Sequence, residues 1–210
     1  MAVTAMAAVL LGVAGALVSG RTGPDHDAPD TTSIQAVADK LAEGQARERS
    51  AINADLAAAA EEAHEHLARV LRGLATVIPV DSGKSAQPAP SGDVDQWNQD
   101  LALAASALEA VPEGTSEQTV TRAAFLGAAN LLQSAAAGYQ HLLDAPEDKR
   151  GLLTAAVADQ REAAVDLWQA GAAQLDTLTV EAGGEHIHVF LAPDGDPAAV
   201  PQEFQEPGNH

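Results

Sequence analysis

Residues 32–78 of this 210-residue chain read TSIQAVADKLAEGQARERSAINADLAAAAEEAHEHLARVLRGLATVI. In the second half of that stretch Ile52, Leu56, Ala59, Ala63, Leu67, Val70, Leu74 and Val77 follow one another at steps of three and four. That spacing places them on one face of an α-helix. Asp55, Glu61, Glu62, Glu65, Arg69 and Arg72 fall on the opposite, solvated face. The first half is weaker: Ile34, Val37 and Leu41 begin a stripe that Gln45 and Glu48 interrupt. Gly44 there lowers helix propensity by about 1 kcal/mol relative to alanine. Either one continuous helix with a stalk-like first third is expected, or a bend near Gly44. Pro79 ends it, because proline disfavours helical geometry in the residue before it and offers no amide donor. A helix of about 47 residues spans roughly 70 Å. The overhang is suited to a stalk or to the seam of a homo-oligomer.

Three further helices follow. Trp97, Leu101, Ala104, Leu108 and Val111 mark a helix over about 94–111, ended by Pro112 and Gly114. Phe125, Ala129, Leu132, Ala136, Tyr139 and Leu143 mark one over about 116–143, its stripe widened by Leu131 and Leu142. Leu153, Val157, Gln160, Ala164, Leu167, Gly171, Gln174 and Leu178 mark the last, over about 147–178. Each helix is preceded by a capping pattern: Thr32 with Gln35, Asp93 with Gln96, Thr115 with Gln118, Asp144 with Glu147. Short connections make the second, third and fourth helices antiparallel neighbours. The longer linker DSGKSAQPAPSG, residues 81–92, permits either an antiparallel return or a crossover. The fold class expected is therefore all-α: an antiparallel four-helix bundle with a long first helix and a short extended C-terminal segment.

Composition narrows the function classes. The formal charge is −19, from 11 basic and 30 acidic residues, which disfavours nucleic acid and anionic lipid as partners. With no cysteine the chain has no disulfide, thiolate metal site or thiol nucleophile. Three Phe, two Trp and one Tyr leave alanine to fill much of the interior. Alanine buries little area, so the helices must approach closely, which argues against a large ligand cavity.

The two ends differ from the middle. Residues 1–20 carry no charge and hold an apolar run from Ala5 to Val18, so they read as a signal peptide or an N-terminal membrane anchor (residues 2–18), although the first basic residue is Arg21. Residues 21–31 are a polar, proline-containing tether, and residues 32–180 the bundle. From residue 181 the chain holds six acids and no Lys or Arg. Within it, residues 185–191 (EHIHVFL) read as a short strand, which must pair or lie extended on the bundle because its backbone groups need partners. Residues 192–210 are acidic and proline-rich, a composition typical of disorder.

The residues with most chemical promise are His186 and His188. Two apart on an extended segment they point the same way, so both imidazoles can face one Cu or Zn ion, with Glu185, Asp194, Asp196 or His210 available as further ligands. The simpler role is a wet strand face, with Ile187 and Val189 inward. His64 and His66 share the spacing but lie on a helix, where their rings diverge by roughly 200°. Glu61 and His64 form half of the Glu-x-x-His pair of di-iron bundles, and no second half exists, since Gly138 stands three before His141. Asp194-Gly195-Asp196 lacks the glutamate of a calcium loop. No nucleophile elbow, phosphate loop, dinucleotide fingerprint or His-Glu-x-x-His occurs. Tyr139 and Trp168 read as core or interface anchors, while Gln160 and Gln174, at stripe positions, would fix register or line a small polar site. The function expected is that of an exported, non-catalytic bundle that binds another extracytoplasmic or membrane protein. The alternative is an extracytoplasmic Cu- or Zn-binding protein using His186 and His188.

Overall fold

The computed structural model describes residues 31–81 and 83–196. The readings made on residues 1–30, and on 197–210 with His210, lie outside them. The chain divides into two compact units, residues 1–39 and 40–210. The described part of the first is the opening of α1, where Ile34 and Val37 are exposed and Gln35 Nε2 donates to Asp39 Oδ1 at 3.0 Å. The second carries the bundle. Its elements are α1 (Thr31–Val77), α2 (Ser91–Glu109), α3 (Ser116–Leu143) and α4 (Glu147–Glu181), and no described helix is long and apolar enough to cross a membrane.

Helix α1 continues through Gly44 without a break in its helical backbone. All eight residues of its second-half stripe are buried. Burial reaches further than the stripe, to Ala60, Ala68 and Leu71, because three helices pack around this one. Trp97 of α2 lies against Gly73, Gln118 of α3 donates to Asn53, and Asn53 donates to the Leu178 carbonyl of α4. Near the other end of α1, Arg161 of α4 donates to the Ile78 carbonyl. Pairing of early α1 with late α4, and late α1 with early α4, makes the two antiparallel. Trp97 on Tyr139 and Phe125 on Trp168 give α2–α3 and α3–α4 the same sense. The linker after α1 thus makes an antiparallel return, held by the Gln87 amide donating to the Thr76 carbonyl and the Ala89 amide to the Tyr139 hydroxyl.

Several expectations need correction. The capping box forms at Thr115 and Gln118, but α2 and α4 begin after Pro90 and Pro146 with no side-chain cap. Proline's fixed φ sets the entry there, and Asp93, Glu147 and Asp148 in the first turns face the positive helix ends. Asp144 instead closes the C-terminal end of α3. Thr32 lies inside α1, whose helix begins a residue earlier, and Gln35 is bonded to Asp39. Helix α2 therefore starts before 94 and stops before 111, and α4 runs past 178. Leu143, at the last residue of α3, is exposed rather than inward.

The stripe of α4 is displaced. Val157, Ala164 and Gly171 are buried as expected, but Arg161, Val165, Trp168, Ala172 and Leu175 complete the buried set, while Leu153, Gln160, Leu167, Gln174 and Leu178 are only half-buried. The helix is covered on two sides, by α3 and by α1 with the chain that follows, so no single stripe describes it.

Glycines open the helix contacts. A Cβ on Gly73 would fall inside the Trp97 indole, whereas one on exposed Gly44 would meet nothing within 4 Å. Gly73→Ala should destabilise the chain by about 1–3 kcal/mol through overpacking. Gly44→Ala should stabilise it by up to about 1 kcal/mol through helix propensity. Urea unfolding followed by circular dichroism reads both. Equal shifts in the two variants would refute the notch at Gly73.

Candidate functional site

Helix α4 ends in a glycine-containing cap. Gly183 has φ +83°, its amide donates to the Val180 carbonyl, and the Gly184 amide donates to the Thr179 carbonyl. Two crossed bonds of this kind, with glycine in the left-handed region, stop a helix and reverse the chain. The chain then runs extended back along the bundle between α1 and α4.

Residues 185–191 form no strand with the described residues, and the extended alternative holds. A lone strand needs partners for its carbonyls, and here side chains of the flanking helices supply them. Trp168 Nε1 donates to the Val189 carbonyl at 2.6 Å and Gln169 Nε2 to that of Leu191 at 2.9 Å, both from α4. From α1, His64 Nε2 lies 2.7 Å from the Phe190 carbonyl. A carbonyl only accepts, so His64 carries its proton on Nε2. Alternate carbonyls of an extended chain point to opposite edges, so each edge is met by a different helix. Val189, Leu191 and Ala192 are buried beneath, which contributes about 1.5–3 kcal/mol for each of the two larger side chains. At the far end Arg72 donates to the Gly195 carbonyl at 3.2 Å, and Gly195 (φ +71°) packs so closely on the Ala68 carbonyl that a Cβ would not fit.

The histidines stand on the outside of this segment. His186 and His188 are exposed, with rings 6.3 Å apart and parallel within 4°, and Phe190 continues the row at 5.7 Å from His188. The carboxylate brought to them is Asp176 of α4, which the sequence reading did not single out. His186 Nδ1 donates to Asp176, at 3.0 and 3.1 Å from its two oxygens, and the Ile187 amide donates to Oδ1 at 2.8 Å. Burial disfavours the Asp176 carboxylate, but the Ile187 amide and His186 outweigh it and hold its pKa below the ordinary value. With Nδ1 so engaged, His186 Nε2 faces outward. A cleft of about 410 Å³ between Ala172, Asp176, His186 and His188 adjoins them. Of the other ligands expected, Glu185 is exposed, and Asp194 lies at the opposite end of the segment, in a turn where it accepts from the Asp196 amide at 3.1 Å. Among the described residues no three His, Asp or Glu side chains form a metal cage.

His64 and His66 diverge as their spacing requires, one to the segment and one to α2. His66 Nδ1 is 2.7 Å from Asp100 Oδ1, and Arg69 donates to the same oxygen through Nε at 3.2 Å and a terminal nitrogen at 2.8 Å. Arg69 also lies 2.6 Å from His66 Nδ1, which can serve one neighbour; the ionised carboxylate requires the proton to point at Asp100. Asp100 is buried, which opposes ionisation, yet Arg69, His66 and Gln96 together keep its pKa below the ordinary value. Arg161, also buried, donates to the Ile78 carbonyl at 2.6 Å and so places a cation at the C-terminal end of α1, whose last turn has no basic residue. Burial lowers its pKa, against the attraction of Glu162 and Asp194.

Gln174 lines a polar cleft of about 520 Å³ with Arg49, Asn53 and Gln118, as expected of a stripe amide, whereas Gln160 does not line it. Tyr139 and Trp168 are core anchors. The residues missed by the sequence reading share a signal. Asp100, Arg161 and Asp176 each continue an apolar line: Trp97–Asp100–Ala104, Val157–Arg161–Val165, Trp168–Ala172–Asp176.

Asp100 sets a pH dependence. Because folding lowers its pKa, its contribution is complete above the unfolded value of about 3.9 and fades as pH falls through the folded value. Asp100→Asn should cost stability at pH 7, and the gap to wild type should narrow toward pH 3 in urea titrations. A gap independent of pH would refute the charged pairing. Neither a family model, nor a curated protein, nor a solved structure matches this chain.

Proposed function

We propose that this chain is a non-catalytic helical-bundle protein that binds another protein on the extracytoplasmic side of a membrane. The observation that carries the reading is the row His186–His188–Phe190, held outward on a segment whose backbone is fixed by Trp168, His64 and Gln169. Planar side chains presented on a rigid support lose little freedom when a partner covers them, and aromatic groups are enriched at protein contacts. The acid-rich surface, at −19 overall, favours a basic partner face. The apolar run from Ala5 to Val18 supports export or anchoring.

A photo-cross-linking residue at His188 in cells that make the protein, beside the same residue at exposed Asp159 of α4, tests the reading. A discrete adduct with one protein at 188 and none at 159 is expected. Identical patterns at both positions would overturn it.

A second reading is favoured by the Asp176–His186 contact. A carboxylate bonded to one imidazole nitrogen leaves the other as a fixed, more basic donor, an arrangement common behind metal ligands. Cu or Zn would then be held by His186 and His188, with its remaining positions filled from elsewhere. Calorimetric titration of the full chain with Zn²⁺ and Cu²⁺ should show micromolar binding that disappears in His186→Ala/His188→Ala. Heat unchanged by the double substitution would exclude this site.

A further inference from the structure

We infer that the groove between α1 and α4 is a binding site for extended polypeptide, which residues 185–196 of the chain occupy and which an extended segment of a partner, with aliphatic side chains at alternate positions, can enter in their place. The inference goes beyond the protein-binding reading above, in which a partner covers the seated segment; here the partner's segment takes its seat.

The occupant shows what the groove accepts. Three of its polar contacts, from Trp168, His64 and Gln169, go to backbone carbonyls and therefore read no side chain. Any extended chain presents carbonyls with the same alternation. Selection falls to the inward positions: Val189 and Leu191 are buried, Ile187 half-buried, and Ala192 fits beneath. The far end adds a small-residue requirement, since only glycine fits over the Ala68 carbonyl. The pattern is aliphatic-x-aliphatic-x-aliphatic-small, then glycine three residues on.

Two features favour exchange of the occupant, although its Val189 and Leu191 close the core. It is joined to α4 through Gly183-Gly184, whose backbone carries no side chain and is tied to the helix by the two cap bonds, so its release needs only those bonds to open. Among the described residues it also forms no strand pairing over 185–191, so its release from them breaks no sheet. A tethered segment competes with a free one at an effective concentration of about a millimolar. For a free peptide binding an empty groove at about 10 µM, occupation in place weakens apparent affinity about 100-fold.

The probe is a fluorescent peptide of residues 184–196, GEHIHVFLAPDGD, beside the same peptide with aspartate at the positions of Val189 and Leu191. The protein is the full chain, as wild type and as Val189→Asp/Leu191→Asp, which unseats its own segment. Anisotropy should show the native-sequence peptide binding the variant at least tenfold more tightly than wild type, and the aspartate peptide binding neither. A helical, cooperatively unfolding variant that binds neither peptide, or both alike, overturns the inference. If the variant does not fold, a full chain cut between Gly183 and Gly184 after folding decides: replacement of its own segment by the labelled peptide supports the groove. Loss of the fold on release, or no replacement, overturns it. An adduct at residue 188 without peptide exchange would remove the groove and leave the protein-binding reading standing.

Discussion

Large side chains seated on missing ones hold this bundle together. Trp97 lies on Gly73, Leu167 on Gly127, Val157 on Gly138 and Phe125 on Gly171, so the α1–α2 contact and, three times over, the α3–α4 contact set a large residue against bare backbone. Alanines fill the remaining inward positions: Ala60, Ala63, Ala104, Ala128, Ala135 and Ala164 are fully enclosed. A core of this kind has little depth to spare. Its residues cannot rearrange around an added methyl, because the backbone of the facing helix is already in contact. The same closeness brings side-chain donors of one element within reach of the backbone of the next.

That reach explains the polar groups inside. A thin core leaves some charged residues on lines that become buried once all the elements are in place. Asp100 answers by collecting Arg69, His66 and Gln96, and Arg161 by facing the end of α1. Asn53 and Gln118 satisfy one another and the carbonyls of Arg49 and Leu178. A single unmet partner in such a site costs more than the contact contributes, so these groups specify how the helices register as well as holding them.

Much of the architecture was legible because it depends on periodicity. The stripe of α1 and the bounds of α3 follow from spacing alone, and the extended placement of 185–191 from the absence of a second strand. The outward pairing of His186 and His188 follows from two-residue alternation. The α4 stripe was not legible, since that helix is covered from two sides and its leucines at 153, 167 and 178 lie at the margins. Asp93 and Asp144 misled because a carboxylate before a helix suits a first turn or a preceding C-terminus as well as a cap. Asp176 was hidden for another reason: it meets His186 only when the chain reverses at Gly183, a turn whose direction no local pattern specifies.

The separations along the chain have a consequence for the order in which the fold completes. Asn53 finds the Leu178 carbonyl 125 residues later, and His64 finds that of Phe190 126 residues later. Helix α1 precedes the other three, yet its polar side chains wait for α4 and the segment beyond it to emerge. Contacts between distant parts of a chain form late, after the entropy of closing the intervening loop has been met. A chain emerging from a ribosome therefore holds α1 with its inner face uncovered until α4 and the segment beyond it arrive. The seal over α1 is laid by residues 185–196, which follow all four helices.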